Sequence, residues 1–196
     1  MRRSSRRAPG RRLALTVAAL ASLIVGYYLG QHWQRNSLAD LSAGVYPAGR
    51  TVEYPDVLAI GSGDDRWRLF LVADTRDGQC HRMMRHFAAV VNRLAAWPKT
   101  QERLRLTVLA YDQPDESAAD EFAGSASWVE VISGDPADLD RLSGQLGIAP
   151  GGLDWCNSYQ ASTILVAPDR TAWALIPYEQ AAIMAHNISS IVAFVE

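Results

Sequence analysis

The sequence predicts an α/β domain, a mixed β-sheet covered by helices on both faces, behind one N-terminal transmembrane helix. Three observations predict it. Residues 13–30, LALTVAALASLIVGYYLG, form an uncharged apolar run preceded by six arginines. Short β-type runs then alternate with amphipathic helical ones as far as Gly147. Two further β-type runs around PDR, and a last apolar helix, close the chain.

Residues 1–12 read as a basic tail that stays in the cytoplasm. As a helix, the run 13–30 would reach about 27 Å, enough for a hydrocarbon core. Tyr27, Tyr28 and Trp33 follow as an interfacial aromatic belt. Arginines on the near side put the rest of the chain beyond the membrane. The expected location is therefore the inner membrane, single-pass, with an extracytoplasmic head. A cleaved signal peptide is the competing reading, but its apolar region is usually shorter, and SLA ending at Ala39 is a poor cleavage site. Residues 31–50 mix polar, Gly and Pro residues without a period and read as a linker.

The head is expected over 51–196. A first strand falls within 51–60, where Pro55 argues for an edge. WRLFLVA, 67–73, is a short, mainly apolar run of buried-strand character. From Gln79 to Trp97, Met83, Met84, Phe87, Val90, Val91 and Leu94 recur at spacings of three and four, an amphipathic helix that Pro98 ends. LRLTVLA, 104–110, is the next strand, followed by a polar stretch with a short helix capped by Asp115. WVEVI, 128–132, is a strand. Asp135 then caps a helix with Pro136 at its first position, stopped by Gly147. STILVA, 162–167, and TAWALI, 171–176, form a hairpin, and the last apolar run to Val195 is a helix. This order is that of a thioredoxin-like mixed sheet with flanking helices.

The chain has 196 residues, 48% of them hydrophobic, enough for one domain plus an appendage. Seven of its 19 basic residues are arginines within 1–35, so the remainder sets twelve basic residues against 21 acidic ones. An acidic head excludes nucleic acid as the expected partner. No Gly-rich phosphate loop and no Ser-His-Asp arrangement is present. His86 and His186 read as helix-surface residues, Met83 and Met84 as core, and Asp112, Asp115 and Glu116 as a solvated turn and helix start.

Several stretches together resemble the Sco/SenC family, the thioredoxin-like, membrane-anchored copper factors of cytochrome oxidase assembly. RLFLVADTRDGQCHRMM stands where that family has a strand, Cys-x-x-x-Cys-Pro and a helix; VEVISGDPADLDRLSGQLGI and STILVAPDRTAWALI resemble its later strand-turn-helix and hairpin. The likeness covers most of 50–196. Residue by residue, Cys80 matches the second motif cysteine, Arg76 replaces the first, His81 replaces the proline, and Tyr159 or a neighbour replaces the copper-binding histidine. A disulfide within the motif is thereby ruled out.

Cys80 is expected at a helix N-terminus, where the dipole, Arg76, His81 and Arg82 favour a thiolate. The resemblance implies that the loop before the hairpin packs beside that helix start and so brings Cys156 near Cys80. Three readings follow: a structural disulfide, a rearranged Cu(I) site on Cys80, Cys156 and His81, or redox use of the same pair. A single-cysteine peroxidase is disfavoured because Thr75 stands five residues before Cys80. The implied role is help in cytochrome oxidase assembly, by copper delivery or thiol maintenance, with a respiratory oxidase subunit as partner and no enzyme activity in the strict sense. The alternative is a non-catalytic thioredoxin-fold assembly or interaction module with a structural disulfide.

Overall fold

A computed structural model describes residues 15–28, 38, 40–58, 60, 65–124, 126–148, 156 and 162–196. The chain divides into two units, 1–40 and 41–196. In the first, α1 (residues 15–28) is helical with every side chain exposed. Ser22 Oγ lies 3.0 Å from the carbonyl oxygens of both Ala18 and Ala19, a local bond that satisfies the hydroxyl within the helix. Among the described residues no helix is long and apolar enough to cross a membrane. The expected tail 1–12, and residues 13, 14, 29 and 30 of the expected span, lie outside the described residues.

The second unit is a six-stranded mixed sheet in the order β1-β6-β5-β2-β3-β4, flanked by helices. Its strands are β1 (Gly44–Thr51), β2 (Trp67–Ala73), β3 (Leu104–Ala110), β4 (Val129–Ile132), β5 (Ser162–Val166) and β6 (Thr171–Pro177). Its helices are α2 (Gly78–Arg93), α3 (Pro98–Arg103), α4 (Glu116–Ala123), α5 (Pro136–Leu146) and α6 (Ala181–Val195). β2, β3 and β4 run parallel, whereas β5 is antiparallel to β2, β6 to β5 and β1 to β6.

Every residue of β2 is buried, as expected of a central strand covered on both faces. Alternate side chains divide it. Phe70 and Val72 join Leu109, Ile164 and Val166 in a core closed by Leu139, Leu142 and Leu146 of α5. Away from that core, α2 and α6 pack on each other, and α6 packs on β6. Met83, Met84 and Phe87 are buried there as the spacing predicts, and His186 is exposed.

Three helices start on side-chain caps. Asp77 accepts from Gln79 N, Asp115 from Ala118 N and Asp135 from Ala137 N, each at 2.8 Å. α5 stops at Gly147, whose φ of 73° is the left-handed value that glycine takes without strain.

Two expectations need correction. The first strand is not within 51–60 but at Gly44–Thr51, inside the stretch read as linker, and the compact unit begins at Leu41. β1 pairs with β6 through an irregular register between Val45 and Arg50, which contains Pro47 and Gly49. Gly49 has φ 66°, and a Cβ there would stand 2.4 Å from Thr171 Cγ2. A bulged edge strand has no clean alternation to read. Pro98 also does more than end a helix. After a 3-10 turn at Leu94–Ala96 it opens α3, with proline in the first turn where no N–H is needed.

Candidate thiol site

β2 ends at Ala73, and the chain then turns through 74–77 into α2. Cys80 is the third residue of that helix, in the turn whose N–H groups lack helical partners. Strand register explains what meets it. β5 runs antiparallel to β2 with Arg68 opposite Val166 and Phe70 opposite Ile164. The chain therefore enters β5 at the end of β2 where α2 begins. Cys156, six residues before β5, is bonded to Cys80 across a sequence separation of 76, with Cα atoms 5.0 Å apart. Both are buried, at 1% and 5% exposure.

Parallel register fixes the other side of the site. Ala73 stands opposite Ala110, so the next outward step of the same ladder sets Thr75 opposite Asp112. Thr75 Oγ1 donates to Asp112 Oδ2 at 2.6 Å and its N–H to Oδ1 at 3.2 Å. Arg76 adds an ion pair at 3.6 Å and a bond from its guanidinium to the Asp112 carbonyl. With 8% of its side chain exposed, Asp112 clamps the turn that leads into α2. The expectation of a solvated turn holds for Asp115 and Glu116 and fails for Asp112. The signal for Asp112 lay in the pairing of two strands, which hydropathy does not show.

Asp77, unlike Asp112, was not singled out from the sequence. Its Oδ1 caps α2, and its Oδ2 lies 4.0 Å from Cys80 Sγ. A disulfide sulfur has no proton to give, so this approach is a contact and not a hydrogen bond. His81, expected to share the site, packs edge-on against Phe122 with ring centroids 5.0 Å apart. Tyr159 lies outside the described residues.

No protein-family model and no curated protein matches the chain. Solved structures do. BsSco, described as a member of the Sco family of cytochrome c oxidase assembly proteins with a disulfide switch, matches at 15% identity and TM-score 0.55, over 76% of this chain and 97% of that one. Arabidopsis thaliana ScoI with copper bound matches at 9% identity and TM-score 0.51, over 66% and 86%. The fold is Sco-like.

Does a Sco-like frame with these residues fit a resident copper ion? Cu(I) takes thiolates and imidazoles. Here both sulfurs are spent on each other, and the His81 ring packs edge-on against Phe122. Among the described residues no group of three or more His, Cys, Asp or Glu is placed to hold a metal. The oxidised site does not fit the ion. What the arrangement offers is a disulfide at a helix N-terminus, with the Asp77 carboxylate beside Cys80 and Asp112 clamping the turn that leads in.

Proposed function

We propose that the chain is a membrane-anchored, extracytoplasmic Sco-like factor in the assembly of a copper-containing cytochrome oxidase, acting through its thiols. The observation that carries this reading is the position of the Cys80–Cys156 bond. The only two cysteines, far apart in sequence, meet in the first turn of the helix after β2, where the resembling family has its working motif.

The reduced pair gives two electrons and two protons to a partner disulfide, whose S–S bond breaks to leave two thiols. The Cys80–Cys156 bond forms in return, and a dithiol protein of the same compartment restores the reduced pair. The helix dipole favours the Cys80 thiolate in both directions. Cu(I) enters this reading only as cargo of the reduced pair. Titration of the reduced chain beside Cys80→Ser and Cys156→Ser tests that part, with tight binding that either change weakens as the supporting result.

Burial of both sulfurs favours a second reading, a structural disulfide in a non-catalytic assembly module. The two are separated by how the bond opens. The oxidised full-length protein is exposed to excess dithiothreitol across a urea series and its thiols are counted by alkylation. Exchange faster than global unfolding, with a shallow urea dependence, supports thiol function by a local opening. Reduction at the unfolding rate, with its full urea dependence, establishes the structural staple.

A further inference from the structure

A groove of about 310 Å³ runs between α2 and the end of α4. His81, the residue after Cys80, opens it; Met84, Phe122 and Trp128 form its floor; Arg85 and Glu121 stand on opposite lips. Met84 and Phe122 are buried at 8% and 3% exposure. At the far end Gly124 takes φ 63°, and a Cβ there would meet nothing within 4 Å, so the groove runs out open.

The lip formed by α2 is unusual in this chain. From Gly78 to Arg93 the helix has three arginines, two histidines and no acid, on a head with an excess of acidic residues. Arg82, Arg85 and Arg93 are exposed, and among the described residues none of them makes an ion pair. Arg82 and Arg85 are three apart and so neighbours on the helix surface.

We propose that this groove docks an acidic segment of a partner polypeptide. One apolar side chain lies on the Met84–Phe122–Trp128 floor, and flanking carboxylates pair with Arg82 and Arg85. Charge selects this occupant. The cationic lip attracts an acidic segment that the rest of the head repels, and Glu121 turns its carboxylates away from the α4 lip and onto α2. The groove volume, at the small end of ligand pockets, suits one or two side chains. Its lining residue His81 is the next residue after Cys80 in α2, and in that respect the inference rests on the thiol reading above.

The test is anisotropy of fluorescein-labelled peptides with the full-length protein in detergent. One peptide has the core Glu-Glu-Leu-Phe, one Lys-Lys-Leu-Phe and one Glu-Glu-Ser-Ser. At low ionic strength the first binds about tenfold more tightly than either other, and the preference over the lysine peptide collapses in high salt. Arg82→Glu with Arg85→Glu reverses that preference. Ala88→Phe, which fills the half-buried lining without removing a core side chain, abolishes the preference for Leu-Phe over Ser-Ser and leaves the charge preference. Equal binding of all three peptides, or an acidic preference that survives the charge reversal, overturns the proposal. So does retention on phosphatidylglycerol vesicles with no selectivity among peptides, which assigns the cationic face to lipid. The readout does not depend on thiol chemistry. Selective docking with a bond that opens only on unfolding would leave this inference standing and remove the exchange step; exchange without selective docking would do the reverse.

Discussion

The Cys80–Cys156 bond closes a loop whose ends are 76 residues apart. Without it the unfolded chain regains the freedom of that loop. The chain-entropy relation gives about 15 cal/mol/K for this separation, or about 4.5 kcal/mol at room temperature. That is a large share of the roughly 5–15 kcal/mol that holds a domain together. Urea unfolding of the full-length protein, oxidised and fully reduced, reads the difference. The Cys80→Ala/Cys156→Ala double variant controls for other effects of the reductant, since it removes both sulfurs and leaves no unpaired thiol. The oxidised form is expected to be about 3–4.5 kcal/mol more stable, with a smaller urea slope because its unfolded chain exposes less surface. Coincident curves would refute the reasoning, as would a reduced form more stable than the oxidised one. The cycle also binds function to stability. Whatever the bond gives the fold, the fold gives back to the bond. A stabilisation of 4.5 kcal/mol lowers the potential of the pair by about 100 mV relative to the same cysteines in the unfolded chain. A pair so held is a strong electron donor once reduced, which is what keeping a partner's thiols reduced demands.

Three further changes probe the frame of the site. Asp112→Ala, by freeing Thr75 and Arg76, is expected to cost about 2–3 kcal/mol in urea unfolding and to speed reduction of the disulfide, because the turn into α2 loses its clamp. Arg68, 3% exposed, is paired with Glu130 and bonded to Thr107 across three strands; Glu130→Ala is expected to cost about 2 kcal/mol, less than a fully buried pair because the Glu130 side chain is 33% exposed, and adding Arg68→Met should recover most of the loss. Tyr111, half-buried and bonded to Asp140 and Ser143, has its phenol pushed up to about 12 from 10.0, chiefly by burial, with Ser143 opposing and Asp140 adding. The folded state thus keeps a proton that the unfolded chain loses first. The stability this provides is complete below the unfolded value near 10 and disappears as pH rises towards 12. Tyr111→Phe should flatten that part of a stability-against-pH curve, and an unchanged alkaline slope would show that another group sets it.

Elements whose signal is local were legible. β3 and the Asp135–Gly147 helix stand within a residue of where hydropathy, a cap and a stop put them, because each signal lies inside the element it marks. β1 was not, since an edge strand with a bulge is defined by its partner β6, more than a hundred residues downstream, and not by its own alternation. Arg68 was hidden for a related reason. A charge inside an apolar strand looks like a break in the pattern until Thr107 and Glu130 on the next two strands are known to stand beside it.

The candidate site repeats that division, and the sheet shows why. Cys80 was marked locally, by a strand ending and a helix beginning around it. The partners of Cys80 and of the turn before it follow from β2 being paired on opposite edges with strands of opposite direction. The parallel neighbour β3 leaves the sheet at the same end as β2, so Asp112 arrives opposite Thr75. The antiparallel neighbour β5 enters at that end, so the chain before it delivers Cys156. One residue of slip between β2 and β3 would turn Asp112 to the other face of the sheet. The test of this account is to keep both registers and shorten the connection that ties Cys156 to β5. Deleting Ala161, one residue before β5, should leave the hydrophobic strands paired, draw Cys156 out of reach of Cys80, and yield two free thiols by alkylation in a protein that still unfolds cooperatively. A disulfide that forms as before would mean that the loop, and not the antiparallel register of β5, positions Cys156.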